Sequence, residues 1–267
     1  MATVIAMYKH HEETINTLLK KLKVDEEIEG ILLSGSIAHG FESKRSDVDI
    51  MIIVSEENFE KRCKSGKLTY WNNELCSYDG GYVDGKYISV SFMEKVADYG
   101  SEPSKFAFQG AKVLYSKLNE LESLLSKTIK YPINNKETNI NRFYAQFQAW
   151  KWYCYEAIKH NNLYLLDHSI SNYILFGGRL ILAYNEILYP YHKWFLKVLN
   201  AANEKPKDLE SIINNLLSNK NKENIENFYD AIINFTNWNV GESNWPNQFA
   251  MDSELTWMYG NIPVSDI

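Results

Sequence analysis

The first half of the chain switches repeatedly between two spacings of apolar residues. In "YKHHEETINTLLKKLK", residues 8–23, apolar side chains recur every three or four positions, which is typical of an amphipathic helix. The runs "IEGILLSG" and "DVDIMIIV" are short and rich in β-branched residues, so they predict two strands. From there to residue 130 the sequence predicts a helix ending at Gly66, antiparallel strands around two Asp-Gly turns, and a final strand and helix.

A polar segment separates this half from the next. "KYPINNKET", Lys130 to Thr138, contains a proline and predicts a linker. Beyond it the alternation of strands stops, and apolar residues recur mainly at helical spacing. The sequence therefore predicts an α+β fold: a domain over residues 1–130 with a mixed sheet flanked by helices, followed by an all-helical bundle domain over residues 131–267.

Composition and charge narrow the class of protein. Of the 267 residues 45% are hydrophobic, which is ample material for two cores, and no apolar run is long enough to span a membrane. Three widely spaced cysteines and the lack of a signal-peptide pattern predict reduced thiols in a cytoplasmic protein. The net charge of −6 and the small number of arginines argue against a nucleic-acid substrate and remain compatible with cationic small molecules.

Two carboxylates stand at the start of the second predicted strand. Residues i and i+2 of a strand project to the same face, about 6.5–7 Å apart, so Asp47 and Asp49 point together. Mg²⁺ typically takes one or two carboxylates and completes its shell with water and substrate phosphates. Such an ion would offset the charge that builds up at a phosphorus under attack. The pair predicts a magnesium site.

The preceding strand ends in a glycine and a serine. Gly35 allows close approach of the backbone, and Ser36 offers a hydroxyl and an N–H group to phosphate oxygens at an expected helix start. Each feature alone has a purely structural interpretation, since Asp47 can close a turn and Gly-Ser often follows a strand. Their combination within fifteen residues predicts a binding site for a nucleoside triphosphate.

The segment "GSIAHGFESKRSDVD" fits the pattern GSxAxGxxxxxSDxD without a gap. It resembles the signature of the DNA polymerase β-like nucleotidyltransferase superfamily, as found in minimal and in aminoglycoside nucleotidyltransferases. The resemblance implies that Gly35 and Ser36 hold the triphosphate and that Asp47 and Asp49 bind Mg²⁺ and are catalytic. It also implies transfer of a nucleoside monophosphate, with ATP the expected donor, to a hydroxyl of a small, antibiotic-like acceptor.

Members of this superfamily usually carry a third carboxylate on a later strand. The strand expected to align with it is "KYISVSFME", in which Ser89 and Ser91 occupy the alternating inward positions. A serine cannot replace a carboxylate as an anionic ligand or as a base near neutral pH. This expectation keeps an alternative open: a catalytically weak nucleotide-binding module or toxin-neutralising partner that retains the phosphate cradle.

Other acidic residues have ordinary structural interpretations. Asp79 and Asp84 precede glycines and are expected in turns. Glu102 is expected in the first turn of a helix capped by Ser101. No residue is assigned as the general base on this basis.

The helical half contains one candidate residue for binding the nucleotide. The resemblance implies that this domain contacts the acceptor and supplies a lysine to the phosphates, and "ILYPYHKWFLK" places Lys193 among aromatic side chains. Lys193 is therefore predicted to bind the nucleotide. The alternative is that Lys193 is only solvated beside core aromatics.

Two further questions stay open at this point. The acceptor hydroxyl could instead belong to a protein or an RNA, and the sequence does not decide the oligomeric state, for which a homodimer is one option.

Overall fold

The computed structural model describes residues 7–240 and 244–260. The chain divides into two compact units, Met1–Lys130 and Tyr131–Ile267. The first contains a five-stranded sheet with helices, and the described part of the second contains only helical elements. The predicted α+β class is confirmed.

Strands and short helices alternate in the first unit. In chain order they are α1 (Lys9–Leu22), β1 (Ile28–Leu33), α2 (Gly35–Ala38), β2 (Val48–Val54), α3 (Glu56–Ser65), β3 (Thr69–Asn72), β4 (Val83–Ile88), α4 (Val90–Tyr99), α5 (Glu102–Phe106), β5 (Lys112–Ser116) and α6 (Leu121–Thr128). The order across the sheet is β3-β4-β2-β1-β5. Only β2 and β4 run parallel, so the sheet is mixed.

The central strand β2 shows why this sheet is stable. Ile50 and Ile52 face one side of the sheet and pack in the cluster that contains Leu18 of α1. Met51 and Ile53 face the other side and pack in a second cluster, with helices α4 and α6. Burying one such side chain contributes roughly 1.5–3 kcal/mol, so a strand that is apolar on both faces belongs in the middle of the sheet.

The helix predicted to end at Gly66 is confirmed as α3. Ser55 caps its first turn by accepting a hydrogen bond from Asn58 N, and Gly66 ends it in the left-handed conformation at φ 69°. The glycine signal is local, which is why it was sufficient to predict where the helix ends.

The strand predicted over "KYISVSFME" is wrong in its second half. Strand β4 ends at Ile88, and Ser89 caps α4 by accepting a hydrogen bond from Phe92 N at 3.2 Å. Ser91 lies within α4 and donates to Glu56 Oε2 at 2.7 Å. The period changes at this point because Met93 and Val96 are buried at helical spacing. The two serines therefore stabilise helix starts and do not extend the strand.

The second unit packs around aromatic side chains. Its helices are α7 (Lys136–Lys159), α8 (Leu163–Tyr184), α9 (Phe195–Asn200), α10 (Leu209–Ser218), α11 (Lys222–Ile233) and α12 (Trp245–Phe249), with short 3-10 or π turns at Ile133–Asn135, His192–Trp194, Ala250–Glu254 and Thr256–Tyr259. Phe147 stacks on Tyr173 at 4.6 Å, and Phe228 meets the Tyr173 ring edge-on at 5.1 Å. Among the described helices of either unit, none has the length and apolar character needed to cross a membrane.

Candidate active site

The turn between β1 and α2 lies directly against a carboxylate. Gly35 has φ +63°, and a Cβ atom at this position would lie 1.8 Å from Asp49 Oδ2. The backbone is fixed to the same residue, because Ser34 N donates to Asp49 O at 2.9 Å. Only glycine combines this conformation with such a close approach. The predicted cradle and one of the predicted metal ligands therefore form a single local structure.

Ser36 has an unused hydroxyl. Its side chain is 6% exposed, and its Oγ atom has no hydrogen-bond partner within the part of the chain that the structure describes. A buried polar group without a partner costs about 1–3 kcal/mol. A phosphate oxygen bound at this turn would satisfy it, which fits the nucleotide-binding role predicted for Ser36.

The short helix α2, which contains Ser36, is also held at its C-terminal end. The ring of His39 lies between two carbonyl oxygens, with Nδ1 2.7 Å from Gly35 O and Nε2 3.1 Å from Phe106 O. The same ring stacks on Phe106 at 4.4 Å. These contacts fix the turn at Gly35 relative to α5, so the cradle is formed before a ligand binds.

Three aspartates lie at the start of the parallel strand pair. Asp47 immediately precedes β2, Asp49 is its second residue, and Asp84 of β4 is the direct register partner of Asp49. Neighbouring strands lie about 4.8 Å apart, and paired residues project to the same face. All three carboxylates are half-buried.

The expectation that a third carboxylate is missing is therefore wrong, as is the assignment of Asp84 to a turn. Asp84 lies inside β4, beside Asp49. One signal in the sequence pointed to it: Val48-Asp49 and Val83-Asp84 are matching dipeptides, and each opens a strand. The interpretation of Glu102 is confirmed, since it begins α5 after Ser101, which caps that helix.

Tyr82 adds a phenol that sequence reasoning missed. A hydrogen bond to the Asp47 carboxylate raises the pKa of Tyr82, and the negative charges of Asp47, Asp84 and Asp49 raise it further. All three carboxylates therefore act electrostatically on one hydroxyl. Tyr82 precedes β4 as Asp47 precedes β2, which places the two side by side.

The carboxylates suit a cation that arrives with its substrate. Within residues 7–240 and 244–260 no group of three or more His, Cys, Asp or Glu side chains is placed so that together they could hold a metal ion. Mg²⁺ does not require one, because it commonly uses one or two carboxylates and takes the remaining oxygens from water and phosphates. Asp47 and Asp49, next to the unsatisfied Ser36 hydroxyl, fit that mode of binding.

Comparison with known proteins agrees with this geometry. Residues 13–75, which include the cradle, Asp47 and Asp49, match the family model described as "Polymerase beta, Nucleotidyltransferase". This segment of the first unit therefore resembles a nucleotidyltransferase domain of the polymerase beta family. The resemblance predicted from the motif is confirmed for these residues.

Two further proteins resemble the chain. A candidate protein adenylyltransferase from Methanocaldococcus jannaschii is 29% identical over 103 residues, which cover 37% of this chain and 97% of that protein. A crystal structure of a nucleotidyltransferase-like protein from Exiguobacterium sibiricum aligns with a TM-score of 0.47 and 9% identity, over 95% of this chain and 81% of that one.

In the first unit, the loop before Asp47 is held by side chains that are distant in sequence. Ser46 O accepts hydrogen bonds from Tyr78 Oη at 2.7 Å and from His11 Nε2 at 3.0 Å. A carbonyl only accepts, so Nε2 of His11 carries the proton. The pKa of His11 is lowered by burial, which disfavours the charged ring, and next by the neighbouring His10.

Lys193 lies in the second unit, outside the segment that matches the family model. Its side chain is exposed, and Nζ lies 5.2 Å from the centre of the Trp194 ring. The neighbouring Tyr191 is exposed and has φ 67°, an uncommon conformation for a bulky residue, whereas Phe195 is buried. The role of Lys193 in nucleotide binding stays a prediction.

Proposed function

We propose that the protein transfers a nucleoside monophosphate from a nucleoside triphosphate, with ATP as the donor, to the hydroxyl of an acceptor and releases pyrophosphate. The observation that carries this proposal is the register pair of Asp49 and Asp84, with Gly35 packed against Asp49. A phosphate cradle and three carboxylates next to each other suit phosphoryl-group chemistry, which depends on positioning and on neutralising charge.

Each residue has a distinct part in the proposed reaction. Gly35 and Ser36 bind the outgoing phosphates, and Asp47 and Asp49 would hold Mg²⁺, which neutralises the charge on the phosphates when it is bound. The acceptor oxygen forms a bond to the α-phosphorus while the bond from that phosphorus to the bridging oxygen breaks. Asp84 accepts the proton from the acceptor hydroxyl, and pyrophosphate leaves with the bonding electrons.

The order of these groups across the sheet indicates the side from which the acceptor approaches. The cradle at the end of β1 is followed by Asp49 on β2 and Asp84 on β4. Attacking and leaving oxygens lie roughly in line on opposite sides of the phosphorus. Since the leaving group lies at the cradle, the acceptor approaches over β4 and β3. There Trp71, the register partner of Asp84, is 61% exposed.

A small, cationic, antibiotic-like molecule is the first candidate for the acceptor. The net charge of −6 and the three carboxylates attract cations, and the exposed Trp71 offers a flat apolar surface beside Asp84. A protein hydroxyl is the second candidate. It is favoured by the alignment with nearly the whole of the M. jannaschii protein, whose name describes it as acting on proteins.

The proposal that the protein is a weak nucleotide-binding module loses its main argument. That argument required Ser89 or Ser91 to stand in place of the third carboxylate, and both serines lie at the start of α4 instead. The acidic residue at the corresponding position is Asp84.

The test is incubation of the protein with α-labelled ATP, GTP, CTP or UTP, Mg²⁺, and aminoglycosides, lincosamides or purified candidate proteins. We expect pyrophosphate release with transfer of label to one acceptor class, and loss of both with Asp49→Asn. Failure of the wild-type protein to bind any of the four nucleotides with Mg²⁺ in calorimetry, together with no label transfer, would overturn the proposal.

A further inference from the structure

We propose that His11 and Tyr78 act together as positioning residues for Asp47. We call this pair the Ser46 clamp, because both side chains bind the carbonyl oxygen of Ser46. The inference rests on the proposed function, in which Asp47 helps to hold Mg²⁺. His11 and Tyr78 would support the reaction indirectly: their described hydrogen bonds go to the backbone next to Asp47 and not to the cradle, Asp49 or Asp84.

The clamp joins three distant parts of the chain at one atom. Tyr78 Oη donates to Ser46 O at 2.7 Å, and His11 Nε2 donates to the same oxygen at 3.0 Å. His11 belongs to α1, and Tyr78 lies in the segment between β3 and β4. A carbonyl oxygen has two lone pairs, and here both are used by side chains from outside the loop.

Asp47 needs such support because the sheet does not supply it. Strand β2 begins at Val48, whose N–H donates to Tyr82 O at 3.0 Å, so Asp47 lies just outside the ladder. The residues before Ser46 are exposed. In addition, Asp49 and Asp84 are negatively charged neighbours that repel the Asp47 carboxylate when no cation is present.

Burying His11 costs folding free energy, because one of its ring nitrogens is left without a hydrogen bond within the described part of the chain. The residue is 0% exposed, and its Nδ1 atom has no hydrogen-bond partner among the described residues. An apolar side chain of similar size would avoid that unsatisfied atom, so packing alone does not account for a histidine here. Among the hydrogen bonds of the described residues, the buried ring makes the bond to Ser46 O.

The position of Tyr78 is equally constrained. Gly81 packs against its ring so closely that a Cβ atom would lie 2.6 Å from it. The other face of the clamp is covered by His10, whose ring centre lies 4.4 Å from that of Tyr78. His10 Nε2 in turn lies 3.0 Å from Lys44 O, in the same loop. The phenol is thereby fixed in direction, as positioning of Asp47 requires.

The test compares Mg²⁺-dependent ATP binding in matched variants. His11→Leu and Tyr78→Phe each remove one donor and should weaken ATP binding in the presence of Mg²⁺ about fivefold, the usual effect of one hydrogen bond. His11→Gln retains an N–H group at the same reach and should stay within about twofold of the wild type. ATP binding without Mg²⁺, measured by calorimetry in parallel, should not change, because the clamp does not touch the cradle.

A control separates positioning from general weakening of the fold. Leu22→Ala removes a buried side chain from the same helix and should lower stability without changing Mg²⁺-dependent binding. The Val48 N–H donates to Tyr82 O at 3.0 Å, directly after Asp47. Amide hydrogen exchange at Val48 should accelerate in His11→Leu and Tyr78→Phe more than in Leu22→Ala.

The outcomes distinguish the two proposals. If the wild-type protein shows no Mg²⁺-dependent ATP binding, the proposed function is wrong and the clamp has no functional role. If the wild type binds but His11→Leu binds equally well, or Leu22→Ala loses as much affinity as His11→Leu, the clamp proposal alone is overturned. Unchanged exchange at Val48 in both clamp variants would also overturn it.

Discussion

Asp49 and Asp84 are direct partners in the parallel register between β2 and β4, although 35 positions separate them in the chain. Paired residues of neighbouring strands project to the same face about 4.8 Å apart. With Asp47 at the end of the adjoining loop, the pair forms the group of carboxylates on which the proposed nucleotidyl transfer depends. It also removes the reason for regarding the protein as catalytically impaired.

The first prediction concerns the proton acceptor. Asp84→Asn should lower kcat for nucleotidyl transfer at least a hundredfold, because a positioned general base contributes about 10²–10⁴-fold and an amide cannot take the proton. Nucleotide binding should change little. Steady-state pyrophosphate release measures this, with Ser91→Ala as the control, since Ser91 bonds only to Ser89 and Glu56 in the described hydrogen bonds. Equal losses in both variants would contradict the assignment.

The second prediction concerns the two carboxylates of the sequence motif. Asp47→Asn and Asp49→Asn should each abolish Mg²⁺-dependent binding of ATP while the circular dichroism spectrum stays unchanged. The reason is that an amide removes the negative oxygen ligand that Mg²⁺ prefers. Calorimetric titration with and without Mg²⁺ separates the metal-dependent part. Binding of Mg²⁺ and ATP by both variants at wild-type affinity would show that neither carboxylate holds the metal.

The third prediction is that Ser36→Ala separates stability from binding. The Ser36 hydroxyl is buried without a partner, so its removal should leave the free energy of unfolding unchanged or raise it by about 1 kcal/mol. ATP affinity should fall about five- to tenfold, because the bound phosphate loses a donor. Urea denaturation and calorimetry are the two measurements. A variant that is less stable yet binds ATP normally would indicate a purely structural serine.

The fourth prediction concerns pH and His11. Burial holds the pKa of folded His11 below the ordinary value of 6.5, so the unfolded chain takes up the proton first as pH falls. The stabilisation is therefore complete above about pH 6.5 and is lost below it, with a slope of at most about 1.4 kcal/mol per pH unit for one proton.

Urea denaturation between pH 7.5 and 5.5 tests this in the wild type and in His11→Gln. Glutamine retains the donor to Ser46 O but does not titrate, so the variant should lose less stability over this range. Identical pH profiles for the two proteins would show that His11 does not titrate differently in the folded and unfolded states.

The fifth prediction compares two lysines beside one tryptophan. Lys193 Nζ lies 5.2 Å and Lys197 Nζ 5.5 Å from the Trp194 ring. If Lys193 serves the phosphates, Lys193→Ala should raise the KM for ATP about tenfold, a loss of one charged contact. Lys197→Ala should leave it unchanged. Kinetics at saturating acceptor would show this, and equal KM values in both variants would mean that Lys193 is only solvated.

Much of the first unit could be predicted because its signals are local. Helix α3 is bounded by a serine cap and by Gly66, and α1 by its apolar period. The sequence also placed Asp47 and Asp49 at the start of β2, where the structure has them. The motif predicted that the Gly-Ser turn lies near these carboxylates. It does so because β1, which ends at the turn, pairs with β2, which begins beside them.

The position of Asp84 was decided only by the tertiary structure. Its Asp-Gly context is equally good for a turn, and nothing local distinguishes a turn from the first residues of a strand. The same ambiguity placed Ser89 on a strand, because an alternating run continues past Ile88 while the chain has already turned into a helix. The pairing of β2 with β4 resolved both positions at once.

The Ser46 clamp could not be predicted from the sequence. His11 precedes Ser46 by 35 positions and Tyr78 follows it by 32, and neither residue belongs to a motif. Hydrophobic period and turn residues report interactions within a few positions along the chain. By contrast, the contact of one carbonyl with two distant side chains depends on how α1, the sheet and the segment before β4 pack against each other. The sequence by itself determined the type of domain and two of its carboxylates, whereas packing decided the third carboxylate and what holds the first in place.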